Sequence, residues 1–391
     1  MLGNEFLLMI LYMLILGFFF ICTISAWSNI ANLSKYLCLL VIIHTFMQSI
    51  INFYLAYLQS KKHSSLYAFT SVLYGVGSTL LGILRASQLD TNRYMGFVYS
   101  ILICRTIYAL YGTIDMWKDF NFTWNKEIKK EIYHFCLPLI PHMISSFLLN
   151  YVDRYMIDEI IGKSESGLYS FAYNFGLIVN IVVMAINQTY SPEFFELMNK
   201  KDYQGILRKI TWYQKGLLSI STFVVVYAYE AIYIWANPKF HAGSQLVPMI
   251  CYGYIIFHLY ATISAYATYY KRNTYIACVS ILASVINIIL NYFFISRYGY
   301  QAAAYTTAVS YFIQYVICRI GNRHVLRCET HELNSSLYRL LGFILISYVG
   351  LYLIGIFHFH IVSGMLVKLV LVAIIFAFIW KEELYGKVKH S

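Results

Sequence analysis

The sequence predicts an all-α integral membrane protein that crosses the bilayer about twelve times. Three observations carry this. Hydrophobic residues make up 60% of the 391 and charged residues only 12%, about half the ~25% of a soluble domain. Mean hydropathy is +0.61. The apolar residues also fall in unbroken runs of about 20, enough for a helix to cross ~30 Å of hydrocarbon. A transmembrane barrel would show strands alternating between polar and apolar instead. A chain with so little charge cannot cover the surface of an ordinary soluble enzyme, and it is too apolar for a disordered one.

The runs fall at 6–26, 36–58, 66–85, 94–114, 133–152, 167–190, 212–235, 245–270, 274–296, 300–320, 338–357 and 362–380. Charge tests this division. With the N-terminus placed in the cytoplasm, nineteen of the 29 Lys and Arg residues lie in cytoplasmic loops or the C-terminal tail, and seven lie in outer loops. Basic residues concentrate on the cytoplasmic side of membrane proteins. The alternation therefore supports twelve spans with both termini cytoplasmic. The net charge of +11 is explained the same way, and no nucleic-acid partner is expected. The basic stretches 115–132, 191–211 and 321–337 are expected to be partly helical and to lie against anionic lipid.

The eight cysteines form no CxxC pair, so neither a disulfide framework nor a metal site is expected. The first run lacks the basic leader and cleavage site of a signal peptide. No G-x-S-x-G, Walker A or HExxH motif occurs, so no cofactor and no catalytic centre are expected. Among the 38 tyrosines, those near span ends fit an interfacial aromatic belt. Mid-span residues such as Tyr99, Tyr173 and Tyr266 need partners for their hydroxyls, across a polar cavity or between helices.

Pro138 and Pro141 open the fifth span. Each lacks a backbone donor and clashes with the preceding turn, so a bent helix start is predicted. The hairpin of spans nine and ten carries Asn287, Asn291 and Ser310 beside the Ala302–Ala304 run, a pattern for close packing and interhelical hydrogen bonds.

Three basic residues remain inside spans: Arg105, Lys215 and Lys368. Arg105 is central in 94–114, where an arginine costs ~2.5–3.5 kcal/mol on the insertion scale. It is either an anion ligand or one half of a structural ion pair. Lys215 sits near the cytoplasmic end of its helix, within snorkelling reach of the interface. Glu230 lies about a turn and a half inside the outer boundary, a candidate proton-coupling acid, and His142 lies at membrane depth.

Four stretches carry a family resemblance: Phe135–Pro141; Asp153-Arg154 followed by Gly167–Tyr173; Ile186–Phe195; and the Asn287 to Ala304 hairpin. In this order the chain resembles the polysaccharide or O-antigen (Wzx-type) flippases, of the superfamily that also holds multidrug and toxin extrusion transporters and lipid II flippases. The resemblance implies two lobes of six helices around a central cavity. Residues 133–320 would form the whole C-terminal lobe. Residues 1–132 would form an N-terminal lobe two helices short, and 321–391 two additional helices and a cytoplasmic tail.

The implied function is translocation of undecaprenyl-pyrophosphate-linked oligosaccharide repeat units across the bacterial inner membrane by alternating access. It serves O-antigen, capsule or lipooligosaccharide synthesis, with H⁺ or Na⁺ coupling and polysaccharide polymerase machinery as partners. Arg105, Lys215 and Arg85 become cavity candidates for the anionic carrier. Asp153, Arg154, Glu230 and His142 become gating or coupling candidates. Two other readings stand beside it: a membrane polysaccharide polymerase or O-antigen ligase, and a multidrug cation antiporter. A polymerase or ligase would carry a large outer loop that is missing here. An antiporter would carry more acids deep in the bundle.

Overall fold

The computed structural model describes residues 2–31, 33–61, 63–89, 93–122, 137, 139–326, 333–356 and 361–381. Each of the twelve predicted runs contains a helix. The helices are α1 (Leu2–Cys22), α2 (Ile24–Ala31), α3 (Lys35–Ser60), α4 (Ser64–Gln88), α5 (Arg93–Trp117), α6 (Leu139–Ile160), α7 (Lys163–Asn199), α8 (Tyr203–Trp235), α9 (Val247–Tyr269), α10 (Asn273–Tyr298), α11 (Ala302–His324), α12 (Leu333–Ile356) and α13 (Ile361–Ile379). A 3-10 stretch, Pro238–Leu246, joins α8 to α9.

Nine helical segments among the described residues are long and apolar enough to cross a membrane, and Gly364–Ile379 is a shorter apolar helix. Helices α6 and α11 fall below that apolarity for a physical reason. They carry Asn150 and Asp153, and Thr306, Thr307, Ser310 and Gln314, most of them buried among neighbouring helices. At 22 and 23 residues both still reach ~33 Å at 1.5 Å per residue.

Helix α7 has 37 residues and runs ~55 Å, well beyond the hydrocarbon thickness. The polar stretch 191–211 is therefore mostly helix: α7 continues through Pro192 and α8 begins at Tyr203. The turn between them uses Lys201 at φ 55°, and Asp202 caps α8 by accepting from the Gly205 N–H at 2.8 Å. Glu193 then ties the two arms together, accepting from Lys209 at 3.0 Å and from Tyr213 at 2.9 Å.

The chain forms two compact units, Met1–Lys129 and Lys130–Ser391. In the first, α5 packs between α3 and α4, and α1 touches α3. In the second, α9 is the central helix, packed on α7, α8, α10, α11 and α12. It is buried nearly all round, from Val247 to Ala267. Helices α12 and α13 pack on α8.

The α10–α11 hairpin bears out its sequence pattern. The Asn287 amide lies 3.3 Å from Thr307 Oγ1 and 3.2 Å from Ser310 Oγ. Asn291 donates to Asn287 Oδ1 at 3.1 Å and accepts from Thr306. Gly299 at φ 81° makes the turn, a conformation open to glycine at little cost.

Candidate functional site

In the first unit, one face of α5 is tied to its neighbours at nearly every turn. Tyr99 meets the Tyr36 hydroxyl at 2.9 Å. Tyr108 donates to Thr70 at 2.7 Å. Tyr54 donates to Asp115 at 3.0 Å and Tyr57 to Asp119 at 2.6 Å. The α3–α5 partners stay 61–63 residues apart along the whole length, so the two helices run parallel in constant register.

Arg105 sits in the middle of this face. Its Nε donates to the Tyr74 hydroxyl at 2.8 Å and its Nη1 lies 3.1 Å from His44 Nδ1. A guanidinium can only donate. His44 must therefore accept at Nδ1 and carry its hydrogen on Nε2, which lies 3.2 Å from the Val98 carbonyl. The ring bound this way is neutral. No described carboxylate lies within ion-pair distance of Arg105. Of the two sequence readings, a structural ion pair thus has no partner among the described residues, and none of them compensates the positive charge. Arg85 is exposed in the last turn of α4.

In the second unit, Asp153 has no solvent exposure. Its Oδ2 accepts from the Tyr169 hydroxyl at 2.5 Å, and its Oδ1 from the Arg154 N–H at 2.8 Å. The Arg154 guanidinium lies over the rings of Tyr173 at 4.2 Å and Tyr151 at 5.0 Å. A tyrosine network continues inward. The Tyr254 hydroxyl is 2.8 Å from Tyr173 and 3.3 Å from Asn150 Oδ1, and Tyr311 donates to the same oxygen at 3.1 Å. A small cavity opens among Tyr169, Tyr173, Tyr254, Thr307 and Tyr311.

The remaining predicted residues lie apart from this network. Lys215 is 1% exposed, with its ammonium 5.6 Å from the Trp380 ring. That is burial within the bundle rather than snorkelling to the interface. Glu230 is paired with Lys368, whose Nζ lies 2.6 and 2.8 Å from its two carboxylate oxygens. His142 Nδ1 meets Ser280 Oγ at 2.7 Å. Pro141 lies in the first turn of α6, where a missing N–H has no helical partner to lose. Pro138 lies outside the described residues.

Sequence reasoning singled out Tyr173 as needing a hydroxyl partner, which it finds in Tyr254, but missed the Glu230–Lys368 pair and the other tyrosines of the ring. The pair joins residues 138 positions apart, which no local pattern reveals. Beside the mid-span position of Tyr173, the i, i+4 spacing of Tyr169 and Tyr173 on one helix face was a further clue. Among the described residues no group of His, Cys, Asp or Glu is arranged to hold a metal ion.

Comparison with known proteins places this geometry. Protein 1 of the Lsg locus of Haemophilus influenzae is 27% identical over 252 residues, 61% of this chain and 61% of that protein. The lipid II flippase MurJ in its inward closed conformation superposes with a TM-score of 0.67 at 15% identity, over 98% of this chain and 83% of MurJ. A MOP-superfamily transporter from Pyrococcus furiosus gives 0.65 at 11% identity, over 83% and 78%. At such identities these two speak for a shared fold. The polysaccharide biosynthesis protein family matches residues 3–198, half of the chain. This multi-pass membrane protein, built on a MOP-type transporter fold, belongs to the polysaccharide biosynthesis protein family.

Proposed function

We propose that the protein is a transporter that moves undecaprenyl-pyrophosphate-linked oligosaccharide repeat units from the cytoplasmic to the outer leaflet of the bacterial inner membrane. The units would feed assembly of an O-antigen, capsule or lipooligosaccharide, and polymerase machinery would take them up on the outer side. Sugar hydroxyls lose water on entering hydrocarbon at a cost of several kcal/mol each, so the path must be polar. In this reading two lobes, 1–132 and 133–320, alternate in access around a central cavity, and 321–391 adds two helices and a tail. Both termini are cytoplasmic, and H⁺ or Na⁺ drives the cycle.

The observation that carries the reading is Arg105. It is a mid-span cation held by two neutral groups, Tyr74 and His44, and not by a described carboxylate. A pyrophosphate is a matching counter-charge, and a planar guanidinium binds phosphate oxygens bidentately. Family membership supports the link to polysaccharide, and the MurJ likeness supports a fold that suits the task. Lys215 and Arg85 are further cations for the carrier to meet along its path.

The test is complementation. The chain and its Arg105→Ala form are expressed in a strain lacking its own O-antigen flippase, and surface polysaccharide is measured. The parent is expected to restore surface polysaccharide and the variant to lose it while inserting normally. Undiminished polysaccharide from Arg105→Ala would remove Arg105 from the substrate path.

A further inference from the structure

We propose that Asp153 is the proton-binding site of the transport cycle, and that its proton loosens the corner between α6 and α7. The proposal rests on the transporter reading above and names the coupling group within it. It starts from a mismatch between burial and charge. Asp153 is fully buried, yet no cationic nitrogen lies within 4.0 Å of its carboxylate among the described residues. The nearby cation, Arg154, has its guanidinium on the ring faces of Tyr173 and Tyr151 instead. The Arg154 Nε and Nη2 atoms are themselves buried without partners.

The other titratable groups that reach Asp153 are phenols: Tyr169 and Tyr173 from α7, Tyr254 from α9 and Tyr311 from α11. The opposite case stands in the same unit. Glu230 is also deep in the bundle, but Lys368 binds both its oxygens and already supplies its counter-charge. Of these two acids Asp153 is the one placed to exchange a proton. The adjoining cavity offers no charged group either: Tyr169, Tyr173, Tyr254, Thr307 and Tyr311 line it together with Ile250, Gly253 and Ala304.

The geometry gives that proton a mechanical consequence. As a carboxylate, Asp153 accepts a charge-assisted bond from Tyr169, which ties α7 to α6. A second tie, from Ser166 Oγ to the Arg154 carbonyl at 3.0 Å, closes the same corner. The corner turns at Gly162, φ 144°. When the carboxylate takes up a proton from water it carries its own hydrogen. The Tyr169 bond then becomes neutral–neutral, about half as strong. The tie is weakened next to a glycine, where the backbone has freedom to move.

The test is an infrared pH titration of the purified full chain in lipid vesicles, read beside proton-gradient-driven flipping of lipid-linked oligosaccharide. The expected result is a carboxylic-acid band that grows as pH falls, vanishes in Asp153→Asn and persists at a shifted frequency in Asp153→Glu. Gradient acceleration of flipping is lost in Asp153→Asn. Asparagine keeps an oxygen for Tyr169, so the fold is expected to survive. If it does not, Tyr169→Phe serves, with the band retained but displaced by loss of its phenol partner. Identical spectra for the parent and Asp153→Asn across the pH range overturn the proposal, as does gradient-driven flipping that Asp153→Asn leaves unchanged. A titrating Asp153 band in a protein that flips no oligosaccharide sinks the transporter reading instead, and with it the role in a cycle.

Discussion

Lys368→Met tests how the last helix is held. The Lys368 and Glu230 side chains are 8% and 14% exposed, with contacts of 2.6 and 2.8 Å. Removing the ammonium alone leaves a carboxylate in an apolar setting, which costs about 3–5 kcal/mol for a buried pair. The residual exposure of Glu230 favours the lower end, ~3 kcal/mol. Glu230→Leu combined with Lys368→Met removes both charges, and an apolar replacement of a buried pair is close to neutral. The double-mutant cycle should therefore return a coupling of ~2–3 kcal/mol, and the reversed pair Glu230→Lys/Lys368→Glu should recover most of it. The same antiparallel register places Trp380 Nε1 3.2 Å from Ser219 Oγ, three turns away along both helices. One end of α13 thus stays anchored when the other is released, and insertion should survive. The assay is reversible unfolding in mixed micelles of the parent, both single variants and the double. A coupling below ~0.5 kcal/mol, the value of an exposed pair, would refute the reasoning, since the two charges would then be wet in the working protein.

Three further outcomes follow from the geometry. Asn291→Leu should cost ~1–2 kcal/mol by breaking the α10–α11 ladder, read in the same unfolding assay, whereas Asn52→Leu on α3 should cost less, because its bond to Gln48 lies within one helix. Gly162→Ala forces a side chain onto φ 144° and should destabilise by ~1–3 kcal/mol, with faster proteolysis at the α6–α7 corner. The Lys61 ammonium and the Tyr57 hydroxyl hold the Asp119 carboxyl below its usual range. A lowered folded-state value adds stability above the unfolded carboxylate value of ~3.9 and loses it as pH falls through the folded value. Acid unfolding of the first unit should accordingly lose part of its pH slope in Asp119→Asn, and high salt should mimic the change because the pair is exposed.

The length of the apolar runs and the charge alternation made the helices legible, since both are local properties of the chain. The boundaries erred where helices leave the membrane. Span 167–190 is the middle of a helix that ends at Asn199, because nothing in hydropathy marks the end of a helix that continues into water. Single anomalous residues were legible as well. Arg105, Lys215 and Lys368 drew attention because a cation in an apolar run is costly. Their partners were not legible. Tyr74 and His44 lie 31 and 61 residues from Arg105, and only the packing of α3 and α4 on α5 brings them there. Lys215 illustrates the limit: its position fitted snorkelling, yet the arrival of α13 with Trp380 closes it in.

The tyrosine content follows from the solvent. In lipid, apolar surface gives helices little reason to associate, so packing and hydrogen bonds must join them. A serine supplies a hydroxyl but usually returns it to its own helix, as Ser145 does to the Pro141 carbonyl and Ser347 to the Phe343 carbonyl. A tyrosine cannot fold back in this way, because its hydroxyl stands a ring's length from the backbone. It must meet a partner on another helix, as Tyr54, Tyr74, Tyr108, Tyr254, Tyr275 and Tyr311 all do. The ring meanwhile fills apolar space and tolerates lipid contact. The bonds of Tyr108, Tyr254, Tyr275 and Tyr311 are neutral and worth ~1 kcal/mol or less, weak enough to exchange one at a time. A bundle joined by exchangeable phenol contacts, with few ion pairs between helices among the described residues, suits a protein whose helices must shift. The Glu230–Lys368 pair is then expected where no movement is needed, between α8 and the last helix. Tyr252→Phe, which cuts the 2.8 Å link from α9 to Ser347 on α12, should leave transport intact, while Tyr254→Phe, inside the Asp153 network, should slow it. Equal effects of the two would contradict this division between fixed and moving contacts.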